Sequence, residues 1–347
     1  MKENRVTIII LNYNGKKFIL ECLSSVFEQD YSNLEVLLID NASTDESVDL
    51  IKKKFKSHIQ SKRLKIVVNK ENLFFAKGNN IGYALVKTPY VCLLNNDTIV
   101  PKNWLSSLMK SLIKNKAQIV GSYDFPFGKK DLFKIRINYT KTLNLVGSNA
   151  NPESENKETI FVSGVSCLIN TKITDKLFDD DYFGYGEDTY LCWKALLNDN
   201  KVIYEPSSRL WHYGSATSNQ FQSSNLYYRE RNRLINTLIF YESKTFFQIL
   251  PILTLDTMIR TIKYSTKKEL FREWIRSFSW IFNNFNKIMH KRKKIQLSRK
   301  INDAQILKLL TYKLFPKKEN IPFLNLINNL VYIYCKLFKL KTMEFYK

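Results

Sequence analysis

With 347 residues and 44% hydrophobic content, the chain is long enough for a sizeable core and about two domains, and its 14% aromatic content argues against disorder. Five cysteines, odd in number and never spaced as C-x-x-C, fit neither a disulfide framework nor a zinc site and point to a reducing compartment. The net charge of +22 is uneven: residues 216–347 carry 25 Lys and Arg against 8 Asp and Glu, a net +17, whereas residues 1–215 carry 29 against 24.

The apolar run Val6–Leu11 is too short for a signal peptide, so the chain is expected to stay in the cytosol. This β-branched run and Leu34–Ile39 read as strands. Between them, Ile19, Leu20, Leu23, Val26 and Phe27 mark one buried face of a helix over 16–29. The alternation continues with a helix over 43–55, a strand over 64–68, a helix over 77–85, a strand over 90–94, a helix over 104–113 and a strand over 118–120. Such β-α repetition predicts a parallel sheet covered by helices, with ligands at the carboxyl ends of its strands. From Asp124 to Glu158 the pattern weakens into a loop or small hairpin. Residues 160–169 then read as a strand, Asp188 to Leu197 as a helix and Val202–Tyr204 as a short strand. Beyond about residue 223 the chain turns helical and basic, which places a boundary near 216–223 and gives domains 1–222 and 223–347.

A basic tail suits nucleic acid or an anionic lipid surface equally on charge alone. The apolar stretches 246–259 and 321–340 favour the lipid. Pro251 and Asp256 in the first, and three asparagines with Lys336 in the second, favour helices lying on a membrane over helices crossing it. A dinucleotide fold would need G-x-G-x-x-G after the first strand. The chain has Asn12-Tyr13-Asn14-Gly15-Lys16-Lys17, which excludes it.

Three polar groups end the expected strands: Asn12-Tyr13-Asn14, Asp40-Asn41-Ala42-Ser43 and Asn95-Asn96-Asp97. Downstream stand Gly186-Glu187-Asp188 and Trp211-His212-Tyr213-Gly214. In order and spacing, from about Val6 to Gly214, these motifs resemble the family 2 inverting glycosyltransferases, in particular their rhamnosyltransferase-like branch. The resemblance implies an α/β fold of GT-A type, a Rossmann-like mixed sheet, here followed by a basic helical extension. It implies a UDP- or dTDP-sugar donor and a divalent cation, Mg or Mn, with a lipid-linked saccharide acceptor used in cell-surface glycan or glycoprotein assembly. The expected place is the cytoplasmic face of the membrane, without nucleic acid.

Residue by residue, the resemblance puts Tyr13 and Asp40 on the nucleobase, where an aromatic face and one acceptor suit a uracil or thymine. As a plain turn, Asp40-Asn41-Ala42-Ser43 would instead cap the next helix. Asn72 and Asn80 fall in an Asn-rich donor-side loop, although Phe74 and Lys77 stand where the family usually has glycine; as a plain helix entry, Asn79 and Asn80 would be local hydrogen-bonders. Only the last residue of Asn95-Asn96-Asp97 is a carboxylate at the D-x-D position, so Asp97 is the metal-ligand candidate and Asn96 is placed at the ribose. His212 would complete the metal site, or sit in the core among aromatics. Asp188 matches the base that takes the acceptor's proton, or serves as a helix cap. Ser163-Gly164 reads as a close approach to the donor sugar or a strand bulge, and Arg231 as a diphosphate contact or a solvated face. Two rival readings remain: a nucleotide-sugar binder without catalysis, and a basic nucleic-acid-binding protein.

Overall fold

The structure is a computed structural model that describes residues 4–128, 138–143, 147–150, 158–214, 222–314 and 322–346. The chain divides into two compact units. The first comprises residues 1–136, 162–191 and 201–217; the second comprises 137–161, 192–200 and 218–347. The boundary expected near 216–223 falls mostly on residues 215–221, outside the described residues. The same holds for residues 129–137, 144–146 and 151–157 of the expected loop or hairpin.

In the first unit β1 (Val6–Asn12), α1 (Ile19–Phe27), β2 (Leu34–Asp40), α2 (Ser47–Lys54), α3 (Lys56–Gln60), β3 (Leu64–Val68), α4 (Phe74–Ala84) and β4 (Tyr90–Asn95) follow the expected alternation, α3 being unforeseen. Next come β5 (Thr98–Ile99), α5 (Trp104–Lys114) and β6 (Ile119–Pro126). After β7 (Asn138–Thr142) and β8 (Gly147–Ala150) of the second unit, β9 (Ser166–Asn170), the start of α6 (Glu187–Leu197) and β10 (Val202–His212) complete it. The sheet runs β3-β2-β1-β4-β9-β6-β10-β5. It is mixed: β9 is antiparallel to both β4 and β6, and β5 to β10. The strand expected over 160–169 is shorter and begins at Ser166, while β10 runs on to His212.

Period-2 and period-3.6 patterns meet in the core. Ile8, Ile10, Leu38 and Leu94 of the strands pack with Leu23 of α1 and Leu105 and Leu108 of α5. The polar atoms buried beside this layer are bonded. Trp104 Nε1 donates to Ser122 Oγ and Ser166 Oγ, each at 3.0 Å, and Ser122 also meets Ser208 at 2.8 Å. Three strands are thereby pinned to α5 without an orphaned donor.

The second unit holds the small sheet β11-β7-β8 and the helices α7 (Gln222–Phe240), α8 (Ser243–Ser265), α9 (Lys268–Asn283), α10 (Phe285–Ser298), α11 (Asp303–Leu307) and α12 (Pro322–Leu337), with β11 at Leu310–Thr311. Trp193, at the end of α6, stacks on Phe240 and meets Tyr241 edge-on. Arg231 departs from both sequence readings: it is 2% exposed, with its guanidinium over the rings of Tyr227, Tyr228 and Trp280. Ring faces hold this cation together with Asn232 Oδ1, which accepts from its Nε at 2.9 Å.

Beside it, two acids and two arginines form a closed network. Glu230 accepts from Arg233 at 2.9 Å and Arg260 at 2.8 Å, and Asp256 accepts from Arg260 at 2.8 Å and lies 3.3 Å from Arg233. Burial alone would raise the Glu230 carboxyl, but Arg233 and Arg260 outweigh it and hold the group below its ordinary 4.5. Its contribution to stability is therefore complete above about pH 4.5 and is lost as pH falls through the lowered value. Glu230→Gln leaves Arg260 and Arg233 short of a countercharge and is expected to destabilise the fold by about 3–5 kcal/mol. Thermal melts at neutral pH check this, and a loss under about 1 kcal/mol would mark the network as no stronger than a surface pair.

Candidate active site

The parallel register aligns Asn12 of β1 with Asp40 of β2, and β4 flanks β1 on its other side. Three strand ends therefore meet at one sheet edge. Asn12, fully buried, is their hub. Its Nδ2 donates to Asp40 Oδ1 (2.8 Å), Ser47 Oγ (3.0 Å) and Ser43 Oγ (3.2 Å), and its Oδ1 accepts from Asn96 Nδ2 (2.9 Å). Gly15 permits this arrangement, because a Cβ there would lie 2.2 Å from Asn12 Oδ1 and 2.3 Å from Asn96 Nδ2. No sequence reading gave Asn12 a role; its place at the last residue of the first strand was the available signal.

Tyr13 is partly exposed in the loop after Asn12. That loop is tied down at Asn14, whose N–H donates to Ser43 Oγ and whose Oδ1 accepts from the N–H of Thr44. Asp40 is fully buried. Besides Asn12 it accepts from the N–H and the hydroxyl of Ser43, which forms the expected turn, but Ser43 does not cap the next helix, because α2 begins only at Ser47 with Glu46 before it. Asn96, placed at the ribose from sequence, spends one amide proton on Asn12.

In the donor-side loop Asn80 makes the local bonds of the second reading: it donates to Phe178 O (2.8 Å) and accepts from Phe178 N–H (3.0 Å), so both ends of its amide clamp backbone. Asn72 Oδ1 accepts from Phe74 N–H and caps the start of α4. The N–H groups of Phe75 and Ala76 donate to Phe183 O. The loop thus latches segment 178–183, which leads into α6 and Asp188. Local hydrogen bonding wins here because a helix start needs acceptors for its exposed N–H groups.

Asp188 lies in the first turn of α6, after Tyr185 and Gly186, which both have positive φ. It is partly exposed, and its Oδ1 accepts from Thr189 N–H at 2.6 Å. A Cβ on Gly164 would stand 4.0 Å from Asp188 Cβ and 3.2 Å from the Phe75 ring. Asn95 N–H, at the end of β4, donates to Val165 O. Gly164 and Asp188 therefore belong to the same sheet edge as Asn96 and Asp97.

Asp97, 8% exposed, sits in the turn from β4 to β5. The antiparallel pairing of β5 with β10 sets Thr98 opposite His212, and Tyr213 N–H donates to Asp97 O. The two side chains predicted to share a metal, 115 residues apart, meet with His212 Nε2 3.1 Å from Asp97 Oδ1. The other ring nitrogen, Nδ1, lies 3.7 Å from Oδ2 of Asp124 on β6. Asp124 escaped the sequence reading, which ended that strand at residue 120. Burial opposes the charged ring, but the carboxylates of Asp124 and Asp97 outweigh it and push the His212 pKa up to about 9.

Among the described residues no group of three His, Cys, Asp or Glu side chains is arranged to enclose a metal ion. One carboxylate, one imidazole and an acidic neighbour do fit an ion that takes its remaining ligands from a diphosphate, since hard divalent cations accept carboxylate and phosphate oxygens together.

A twisted mixed sheet with helices on its faces, its polar and acidic residues gathered at one edge where β1, β2 and β4 end, defines a GT-A type α/β fold. The profile of glycosyl transferase family 2 matches residues 7–178. The chain belongs to that family. It is 26% identical over 210 residues to glycosyltransferase GlyA of Streptococcus pneumoniae serotype 4, covering 58% of this chain and 29% of that protein. It is also 26% identical over 207 residues to the Escherichia coli UDP-Glc:alpha-D-GlcNAc-diphosphoundecaprenol beta-1,3-glucosyltransferase WfgD, covering 58% of this chain and 73% of that protein. The chain spans only 29%, 36% and 38% of three of the curated relatives it matches. Among solved structures, S. aureus TarS 1-349 in complex with UDP-GlcNAc superposes with a TM-score of 0.58 at 17% identity, covering 97% of this chain and 88% of that one. The mannosyltransferase PcManGT from Pyrobaculum calidifontis, in complex with GDP-Man and Mn2+, gives 0.54 at 18%, covering 81% and 76%. Likeness at these identities concerns the fold.

Proposed function

We propose that this chain transfers a sugar, with inversion, from a UDP- or dTDP-sugar to a lipid-linked saccharide acceptor, at the cytoplasmic face of a membrane and in the assembly of a cell-surface glycan or glycoprotein. The observation that carries the reading is the meeting of Asp97 and His212 at 3.1 Å on the same sheet edge as Asp188. The acceptor class is supported by WfgD, whose name specifies a diphosphoundecaprenol-linked sugar, and the donor class by the UDP-GlcNAc complex of TarS.

In this reading Tyr13 offers its ring to the nucleobase, and Asp40 acts there mainly through the loop it orders. Asn96, anchored by Asn12, faces the ribose. Asp97 and His212 hold Mg or Mn, and Asp124 keeps the imidazole oriented through its other nitrogen, as carboxylates do for metal-bound histidines. The bound ion would supply positive charge against the diphosphate leaving group. Asp188 takes the proton of the acceptor hydroxyl as the bond to the anomeric carbon forms on the face opposite the departing diphosphate.

Incubation with a panel of nucleotide sugars in the presence of Mn, read by calorimetry and by release of nucleoside diphosphate, tests this. Binding confined to UDP- or dTDP-sugars is expected. Failure to bind any nucleotide sugar would overturn the reading.

A further inference from the structure

The helices of the second unit carry hydrocarbon on their outer as well as their inner faces: Ile249, Ile252, Leu253 and Trp274 are buried, together with the charged Asp256 and Glu273. On α8 the buried side carries Asp256 and leads through Arg260 into the ion network, while the outer side carries Phe247, Met258 and Ile262, the last 71% exposed. On α9 the buried residues include Glu273 and Ser277, whereas Phe271, Ile275 and Phe282 face outward, Phe282 at 82%. On α12 Ile327, Val331 and Cys335 point inward, and Phe323, Leu326, Leu330, Ile333 and Leu337 form an exposed stripe at helical spacing. A water-facing bundle carries polar residues on its outer faces, and exposed apolar stripes of this kind mark a binding face.

These stripes adjoin. Tyr334 OH donates to Gln248 O at 2.8 Å and Gln248 Nε2 donates to Phe338 O at 3.0 Å, which places α12 beside the first half of α8. Trp274 Nε1 donates to Thr261 Oγ1 at 3.1 Å, which places α9 beside the second half. Exposed lysines border the apolar residues at Lys244, Lys263, Lys267, Lys268, Lys336 and Lys339.

We propose that the joined outer faces of α8, α9 and α12 seat the chain on an anionic bilayer, with the helices lying in the headgroup boundary. Charge selects this occupant. A second copy would set one +17 segment against another, whereas an anionic bilayer accepts hydrocarbon and cations on one surface. The helices lie and do not span: among the described residues none is long and apolar enough to cross, and α8 carries Asp256 and Arg260 at its middle. The lysine stems lie along the apolar residues with their ammonium groups toward lipid phosphate. The inference deepens the lipid-linked acceptor reading by naming the surface that holds the chain at the lipid, yet it stands on residues of the second unit alone.

Its test uses the full chain in co-sedimentation with phosphatidylcholine vesicles, with and without phosphatidylglycerol, at low salt. Strong partitioning to the anionic vesicles is expected, falling with salt. The triple variant Phe247→Ser, Ile262→Ser, Leu337→Ser should partition at least about tenfold more weakly to them, because three inserted side chains lose their apolar contact. Lys263→Glu, Lys267→Glu, Lys268→Glu should cost about as much on anionic vesicles and little on neutral ones. All six positions are exposed, and circular dichroism with nucleotide-sugar binding verifies that each variant is folded. Absence of wild-type binding, unchanged binding by the serine variant, or a wild-type dimer that the serine substitutions dissociate without any vesicle binding would each overturn the proposal. Turnover on a detergent-soluble acceptor separates the two readings: vesicle binding without transfer fails the enzymatic reading only, and transfer without vesicle binding fails this one only.

Discussion

Asp188→Asn is expected to lower turnover by about 10²–10⁴-fold, the usual loss when general-base help is removed, while nucleotide-sugar affinity stays near that of the wild type. Asparagine matches aspartate in size, and its Oδ1 can still accept the N–H of Thr189, so the first turn of α6 is retained. What disappears is the capacity to take a proton at neutral pH. Two measurements on one purified variant decide the matter: transfer rate with a competent acceptor, and donor affinity by calorimetry. Near-normal transfer rejects the assignment of Asp188 as base. Loss of transfer together with donor binding, or a collapsed melting temperature, shows that Asp188 serves the helix start instead. A single displacement also requires inverted configuration at the anomeric carbon, so NMR of the product offers a check independent of rate.

The second large effect concerns the Asp97–His212 pair at the ends of β4 and β10. Removal of divalent ions by EDTA is expected to abolish transfer, and Asp97→Ala to raise the Mn concentration needed to restore it, because the variant keeps only the imidazole of His212. Asp124→Asn should act more mildly, weakening Mn binding by about 10–100-fold through the orientation of His212. Mn binding followed by electron paramagnetic resonance, without substrates, reads both variants without relying on activity. Full activity in excess EDTA would overturn the assignment, and unchanged Mn affinity in Asp124→Asn would reduce that residue to a packing role.

The local code made much of the fold legible. Val6–Leu11 and Leu34–Ile39 are β-branched and leucine-rich runs bounded by polar residues, and the 3.6-residue spacing of Ile19, Leu23 and Val26 admits one buried face. Strands of this kind in alternation with helices leave their carboxyl ends open, so Asn12, Asp40 and Asp97 could be placed on one edge by order alone. The inward and outward faces of the tail were half visible: its charge and apolar stretches pointed to lipid, but which side of each helix carries them was not.

Only the tertiary structure decided how strands far apart in the sequence pair. The pairing of β9 antiparallel to β4 and β6 turns a parallel sheet into a mixed one, and no residue pattern within Ser166–Asn170 states a direction. Long-range packing also chose partners for polar side chains. It joined His212 to Asp97 and Asp124, gave Asn80 to the Phe178 backbone, made Asn12 the hub of three strand ends and closed Arg231 among aromatic rings. An amide or guanidinium in a sequence has several possible partners, and which one it finds depends on what the fold brings within 3 Å after water has been excluded. Sequence therefore determined the elements and the chemical types available at the edge of the sheet, and long-range packing determined which of them face a ligand and which hold the protein together.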